Sequence, residues 1–376
     1  MPNPGDRRAR VPWFPPLLVG AALLGCGGAG CDAGEASRDE APAAPTPTGS
    51  VLEVTDYVPV VCAIAGGRVR CVGRRFFEEL SGGELPARGV HEIELPGPAV
   101  ALASGGAHVC ALTADGEVYC FGDGEHQQLA RKDLDGSARA QRIPIDGRVT
   151  AISADGLHTC ALLSDTGAVM CWGSPPPPRG PYLPEPPRLP DGTPLTGVTG
   201  LRQMVALHPA GAHTLQPPSC GDERWSRRQA RRVAGSEAPV VGGGTDACHR
   251  CLVRSTGTLS CTPAAGEEAS LALGFVPRGL RCALGRCCGL EADELRCWSL
   301  RGGRVEALSL RTAVRTDHFE MGSGTFCYLE PADGSGCRPV ACVGHGLGGP
   351  APAAAVRADP ALYGRRPGHL SLCATP

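Results

Sequence analysis

The sequence predicts an all-β fold: a seven-bladed β-propeller with disulfide-linked hairpins, preceded by a flexible tether. First, a hairpin-like unit recurs along the chain, and Cys62, Cys110 and Cys160 mark its first three copies at steps of about 50 residues. Second, the 376 residues include 53 Gly and 36 Pro but few aromatics. Such a composition favours many turns and short strands over helices.

The clearest copy of the unit is Gly106–Gly122, GAHVCALTADGEVYCFG. A three-residue loop, Ala114 to Gly116, sets Cys110 opposite Cys120 on the two arms of a hairpin. Opposed positions of this kind bring Cα atoms within the roughly 4.4–6.8 Å that a disulfide needs. Zinc is the competing interpretation, but zinc ligands usually come in short knuckles, and the spacers between these cysteines are longer.

The same register extends to six hairpins along the chain. The predicted disulfide pairs are Cys62–Cys71, Cys110–Cys120, Cys160–Cys171, Cys251–Cys261, Cys288–Cys297 and Cys327–Cys337. Twenty cysteines in this arrangement indicate an oxidising, exported environment.

The hairpin register leaves the pairing of seven further cysteines open: Cys31, Cys220, Cys248, Cys282, Cys287, Cys342 and Cys373. A redox or metal role for Cys248, His249 and Cys251 is an alternative to further structural disulfides. No second knuckle with ligand spacing accompanies these residues, so disulfides are favoured. We predict neither a metal site nor a cofactor.

The repeats number seven when spacing is taken into account. The interval between Cys160 and Cys251 has room for two copies, so a degenerate copy is expected around Leu201 to Ala234, where VALHPAGAHTL supplies a strand and a turn. One hairpin is not stable alone in water, but four-stranded units stacked in a ring bury both faces of every sheet. We therefore assign residues 51–376 to the propeller.

The two clearest repeats resemble the regulator-of-chromosome-condensation repeat family, in an exported bacterial lipoprotein form. The first repeat matches the family pattern at Gly105, His108, Ala111, Leu112, Thr113, Asp115, Gly116, Val118, Tyr119, Gly122, Gln128 and Leu129. The second matches it at His158, Thr159, Ala161, Leu162, Gly167, Val169, Trp172 and Gly173. Recurrence at one repeat position marks His108 and His158 as structural residues that bond within their own blades. The resemblance implies a propeller that binds other proteins. The nucleotide exchange activity of some eukaryotic members is not transferred to an exported protein.

The N-terminus predicts export. Residues 1–25 combine basic residues with an apolar run and read as a lipoprotein-type signal peptide, with Cys26 as the lipidated residue. The segment 26–50 has too few large apolar residues to fold and reads as a disordered linker. We expect an outer-membrane lipoprotein that faces the periplasm or the cell surface. Ordinary secretory cleavage nearby is the alternative.

The function predicted from these features is a protein–protein interaction or scaffold module with an unknown protein partner. A net charge of −2 gives no indication of nucleic-acid binding. The chain contains no HExxH, GxSxG or phosphate-loop motif, so we predict no enzyme, although a hydrolase with a channel-centred site remains an alternative. A carbohydrate- or anion-binding envelope protein is the other alternative, with possible anion contacts at Arg224, Arg227, Arg228, Arg231 and Arg232.

Overall fold

The computed structural model describes residues 51–55, 60–73, 76–85, 90–173, 184–189, 191–202, 204–209, 211–215, 231–232, 239–245, 249–263, 267–283, 285–301, 304–308, 314–322, 325–331, 340–344 and 369–370. All of them belong to one compact unit, Ala44–Pro376. Seven antiparallel sheets follow one another along the chain. The predicted all-β propeller is confirmed.

The first three sheets form blades 1 to 3. Blade 1 contains β1 (Leu52–Val54), β2 (Val60–Ala65), β3 (Arg68–Gly73) and β4 (His91–Ile93); blade 2 contains β5 (Ala99–Ser104), β6 (His108–Thr113), β7 (Val118–Asp123) and β8 (Gly136–Arg142); blade 3 contains β9 (Val149–Asp155), β10 (His158–Leu163) and β11 (Val169–Gly173). A short helix, α1 (Phe76–Leu80), lies between β3 and β4. An isolated bridge between Cys171 and Glu185 occupies the place of a fourth strand in blade 3.

The remaining four sheets form blades 4 to 7. Blade 4 contains β12 (Gly200–Arg202), β13 (Val205–His208), β14 (Gly211–Thr214) and β15 (Arg231–Arg232); blade 5 contains β16 (Val240–Thr245), β17 (His249–Arg254), β18 (Thr258–Pro263) and β19 (Ala269–Ala272); blade 6 contains β20 (Arg278–Ala283), β21 (Arg286–Glu291), β22 (Glu294–Arg301) and β23 (Arg304–Leu308); blade 7 contains β24 (Phe319–Met321), β25 (Thr325–Leu329), β26 (Val340–Gly344) and β27 (His369–Leu370). The degenerate repeat predicted around Leu201 is blade 4.

The blades close into a ring around their first strands. Each of β1, β5, β9, β12, β16, β20 and β24 contacts the first strand of both neighbouring blades, including β24 with β1. Because β27 pairs with β26, the last strand completes blade 7 rather than blade 1. The seam between blades 7 and 1 therefore closes without a strand shared between the two ends of the chain.

Apolar residues fill the interfaces between the blades. One cluster joins blades 2 and 3 around Trp172 and Leu129, and another joins blades 7 and 1 around Leu52 and Leu329. Alternation along each strand sends successive side chains to opposite faces, so the middle strands are buried on both sides. No helix in the described part of the chain is long and apolar enough to span a membrane.

Seven disulfides occur among the described residues. Five join the pairs that the hairpin register set opposite each other: Cys62–Cys71, Cys110–Cys120, Cys160–Cys171, Cys251–Cys261 and Cys288–Cys297. Two others were not foreseen, Cys282–Cys287 and Cys327–Cys342. The other six cysteines, Cys26, Cys31, Cys220, Cys248, Cys337 and Cys373, lie outside the described residues.

The predicted pair Cys327–Cys337 is wrong. In blade 7 the ladder pairs Leu329 with Val340, so the hairpin connection runs from 330 to 339 and Cys327 meets Cys342. The predicted register would have placed Pro339 inside the third strand, where proline cannot donate a ladder hydrogen bond. The segment Val340–Gly344, VACVG, contains β-branched residues and fits a strand better.

Candidate interaction face and central channel

The topology divides the loops between the two ends of the ring. Successive strands of a blade run in opposite directions, so turns between first and second strands share one end with connections between third and fourth strands. We call this end the connection face. The other end, the turn face, carries the turns between second and third strands and the links between blades.

In blades 1 and 2 the turn face has tight turns that are bonded to the chain beside them, whereas the corresponding connection of blade 7 spans 330–339. Gly67 and Gly116 have positive φ, which glycine adopts without steric cost. The Gly67 carbonyl accepts a hydrogen bond from Ala99 N–H at 2.8 Å, and the Gly116 carbonyl accepts one from Val149 N–H at 3.0 Å. In each case the donor begins the next blade. These two turns are therefore tied to the ring.

The connection face carries longer insertions. The chain between β3 and β4 spans 74–90, that between β7 and β8 spans 124–135, and that between β14 and β15 spans 215–230. In the first of these insertions, α1 buries Phe77 against Phe121 of blade 2, with ring centroids 6.4 Å apart. Glu79 and Glu84 in the same insertion remain exposed.

The insertion between β7 and β8 is anchored to blade 3. The Trp172 indole N–H donates to the Gln128 carbonyl at 2.9 Å, and the Gln128 side-chain amide donates to Asp123 at 2.9 Å. Both Gln128 and Leu129 are fully buried. Five charged residues of the insertion are exposed: Glu125, Arg131, Lys132, Asp133 and Asp135. The insertion, held in place by its buried residues, thus presents charged residues at the connection face.

His108 is a structural residue, but its bond is not within its own blade as predicted. Its Nε2 lies 2.7 Å from the hydroxyl oxygen of Thr159 in blade 3. Burial and, to a lesser extent, the neighbouring His158 together lower the pKa of His108 to about 3. The imidazole is neutral at physiological pH. Gly105 leaves room for the His108 imidazole, because a Cβ at position 105 would lie 2.3 Å from His108 Cε1.

The central channel contains one repeat position that differs sharply between blades. This position lies opposite the first hairpin cysteine, and we call it the channel tier. Its occupants in blades 1, 2, 3, 5, 6 and 7 are Glu53, Ala103, Ser153, Gly244, Arg281 and Glu320. Charged residues occupy it in three consecutive blades around the seam, and small residues occupy it on the other side.

The three charged residues of the channel tier form one cluster. Arg281 Nε lies 2.6 and 2.8 Å from the two carboxylate oxygens of Glu320; the Glu320 side chain is buried and that of Arg281 is partly buried. Glu53 Oε2 accepts hydrogen bonds from the Ser104 hydroxyl at 2.7 Å and the Ser104 N–H at 3.2 Å. These contacts join blade 6 to blade 7 and blade 1 to blade 2.

The electrostatics of the cluster favour a neutral Glu53. Burial raises the pKa of Glu53 well above its usual value, and the nearby Glu320 carboxylate adds to this rise, while Arg281 and Ser104 oppose it. Burial by itself would lower the pKa of Arg281, but the attraction and hydrogen bonds of Glu320 outweigh burial and raise that pKa. A protonated Glu53 leaves one cation and one anion, so the cluster has no net charge.

Polar contacts also cross the opposite side of the ring. The Thr245 hydroxyl in blade 5 donates to Asp155 in blade 3 at 2.9 Å, and Met204 N–H donates to the Ser153 hydroxyl at 2.9 Å. The first contact joins the two blades that flank blade 4, and the second joins blade 4 itself to blade 3. Blade 4 has the shortest strands. The channel-facing polar groups named so far therefore hydrogen-bond between blades.

Several predicted site residues lie outside the described part of the chain. Cys26, Arg224, Arg227 and Arg228 are among them, as is Cys248 of the CHRC segment. The backbone of Arg231 and Arg232 forms β15, which pairs with β14 at His213 and Thr214. Lipidation and anion binding therefore remain predictions.

A profile of the regulator of chromosome condensation (RCC1) repeat matches residues 99–128, which make up β5 to β7 and the start of the following insertion. Among solved structures, human WBSCR16 is similar with a TM-score of 0.55 and 15% identity over 74% of this chain and 86% of that protein. Prp20p from Saccharomyces cerevisiae has a TM-score of 0.55 and 14% identity over 73% of this chain and 80% of that chain. At this identity the similarity establishes the propeller fold. No curated protein sequence matches the chain.

The channel tier was missed by reasoning from the sequence. Its charged members lie on short first strands far apart in the chain, and β1 and β24 contain three residues each. A usable signal did exist, because each tier residue of blades 2, 3, 5, 6 and 7 precedes its hairpin cysteine by the same interval. Aligning the repeats on that cysteine would have placed Arg281 and Glu320 in one layer.

Proposed function

We propose that this protein is an exported, lipid-anchored interaction module that binds a protein partner through its connection face. The observation that carries the proposal is that the longest connections within blades, including 74–90 and 124–135, fall at one end of a rigid ring, whereas the second-to-third-strand turns at the other end are short in every blade but the seventh. The seven disulfides of the described residues and the bonded turns hold the blades, so insertions mounted on them lose little ordering entropy when a partner binds.

The comparisons support a protein partner in general terms. The solved Prp20p structure is described together with its binding properties to Gsp1p and histones, which shows that a propeller of this fold can serve protein recognition. Neither of those partners is assigned to the present chain. Rigid-scaffold binding by variable loops is the shared physical feature.

The channel favours a structural role over catalysis. Two carboxylates converge there, as a channel-centred hydrolase would require, but Glu320 is engaged by Arg281 and Glu53 by Ser104. Catalytic pairs need groups aimed at an open space where a substrate atom can lie. The bonds of this cluster run between blades instead, so we assign the cluster to ring stability.

The proposal is tested by site-specific photo-crosslinking in the cell envelope. A photoreactive amino acid replaces Glu125 on the connection face or Asp165 in the β10–β11 turn; both residues are exposed. We expect a discrete adduct from position 125, suppressed by excess unlabelled protein, and none from position 165. Adducts from position 165 alone, or none from position 125, would refute the proposal.

The anchor is tested separately by metabolic labelling with palmitate. We expect label on the wild-type protein and none on Cys26→Ala, with label blocked by an inhibitor of lipoprotein signal peptidase. Equal labelling of both proteins would show that Cys26 is not the lipidated residue. The crosslinking experiment remains interpretable either way, because it depends on the ring and not on the tether.

A further inference from the structure

Two disulfides from neighbouring blades meet at the interface of blades 5 and 6. Cys251–Cys261 joins β17 to β18, and Cys282–Cys287 joins β20 to β21. The sulfur atoms of Cys251, Cys261 and Cys287 all lie within 4.8 Å of one another. All three residues are buried, within one apolar cluster that contains both disulfides.

We propose that Cys287 is a thiol–disulfide exchange site that can convert these two disulfides within single blades into one disulfide between blades. Exchange requires a thiolate next to a disulfide sulfur, and the three-sulfur contact supplies that proximity without a change of fold.

The neighbouring Cys288 explains why this property belongs to Cys287. Adjacent residues of a strand point to opposite faces of the sheet. Cys287 faces the apolar cluster shared with blade 5, whereas Cys288 lies in the cluster that contains Phe319 and Phe326 of blade 7. Cys288 pairs with Cys297, and no third cysteine sulfur of the described residues groups with theirs.

The reaction needs a dithiol reductant, which we specify as its co-reactant. A thiolate of the reductant attacks the sulfur of Cys282 and releases the Cys287 thiolate. The reductant's second thiol then closes its own disulfide and leaves Cys282 as a thiol. Cys287 attacks one sulfur of Cys251–Cys261, forms the disulfide between blades and releases the other cysteine as a thiolate that takes up a proton. Two electrons pass from the dithiol to the protein, and two thiols result.

Cys282 is the more accessible sulfur-bearing residue of its disulfide. It is 5% exposed, whereas Cys287 is fully buried. Attack at Cys282 makes Cys287 the leaving group, which is the orientation that the exchange requires. The apolar surroundings of Cys287 exclude water, so the released thiolate meets the neighbouring disulfide before it meets solvent.

The test uses Cys282→Ser, in which Cys287 has lost its partner and needs no reductant. The exported variant is acid-quenched, alkylated under denaturing conditions and mapped by mass spectrometry. We expect Cys287 joined to Cys251 or Cys261, with the displaced cysteine alkylated. The matched control is Cys297→Ser, which leaves Cys288 free. There we expect Cys288 to be alkylated and Cys251–Cys261 to remain intact.

Alkylated Cys287 beside an intact Cys251–Cys261 disulfide in the folded Cys282→Ser variant would overturn the proposal. Circular dichroism establishes whether the variant is folded. If it is not, the wild-type protein is titrated with dithiothreitol and mapped in the same way. The disulfide between blades is then expected before Cys110–Cys120 is lost. Reduction of both pairs with no species that joins the blades would equally refute the exchange.

Discussion

Two interfaces of the ring are held together by different means. Blades 2 and 3 are joined by repeat-motif residues: Trp172 reaches the Gln128 carbonyl, and His108 reaches Thr159. At the seam between blades 7 and 1, Val72 occupies the strand position that Trp172 has in blade 3. The apolar contacts of the seam come from smaller aliphatic residues, and the charged channel tier lies beside it.

This difference shows how a degenerate repeat can still close a ring. Where the motif is complete, a large aromatic side chain and a buried neutral imidazole connect the blades. On either side of the seam, where the motif has been lost, an ion pair joins blade 6 to blade 7 and a hydrogen-bonded carboxyl group joins blade 1 to blade 2. We therefore expect the blade 2–3 interface and the channel-tier contacts beside the seam to respond differently to substitution and to respond to pH with opposite sign.

The largest effect is expected from Arg281→Met. The substitution leaves the buried Glu320 without its cation, and breaking a buried pair in this way typically costs about 3–5 kcal/mol. We expect the free energy of unfolding in guanidinium to fall by that amount. Arg296→Met is the control, because its pair with Glu291 is exposed and should contribute less than about 1 kcal/mol. Equal losses in the two variants would contradict the stabilising role assigned to the Arg281–Glu320 pair between blades 6 and 7.

His108 should make the blade 2–3 interface sensitive to acid. Its pKa is about 3 in the folded protein, against about 6.5 when unfolded, so the unfolded state binds the proton first as the pH falls. The stability that the neutral imidazole contributes is fully present above pH 6.5 and decreases by up to about 1.4 kcal/mol per pH unit toward pH 3. In His108→Gln the free energy of unfolding should fall less steeply as the pH is lowered from 6.5 to 4.5, because the contribution of His108 is gone. An unchanged slope would argue against a neutral His108.

Trp172→Phe should weaken the same interface at every pH. The variant leaves the Gln128 carbonyl without its donor and removes buried volume, so we expect a loss of about 2 kcal/mol. Met170→Leu, on the same strand but only partly buried, should cost less than about 1.5 kcal/mol. Urea unfolding of both variants measures the difference. If Trp172→Phe behaves like the control, the indole hydrogen bond does not hold the blades together.

The smallest effect is expected from Glu53→Gln, and its sign is the informative part. The folded protein keeps the Glu53 proton above pH 4.5, where the unfolded chain loses it, so wild-type stability from this group falls as pH rises from 4.5 toward the raised pKa. The amide retains an oxygen for Ser104, and the change at pH 5 should stay within about 1 kcal/mol. As the pH rises from 5 to 8, the free energy of unfolding of the variant should increase relative to that of the wild type. The opposite trend would mean that Glu53 is ionised.

The sequence carried most of the information about the ring. Local features predicted the hairpin cysteine pairs, because strand register follows directly from short turns such as Gly66–Gly67. The register predicted for blade 7 was wrong because the hairpin connection of that blade is long, and a long connection does not constrain the register. The bond from His108 to the next blade and the channel tier depend on contacts between distant segments. A local pattern gives no direct measure of such contacts.

The binding role of the connection face is tested most directly by hydrogen–deuterium exchange with and without the protein partner that crosslinking at position 125 captures. We predict slower exchange in residues 76–85 and 124–135 when the partner is present, with no change at the Asp165 and Gly257 turns. Protection confined to the turns, with the insertions unchanged, would contradict the assignment of the connection face as the interaction surface.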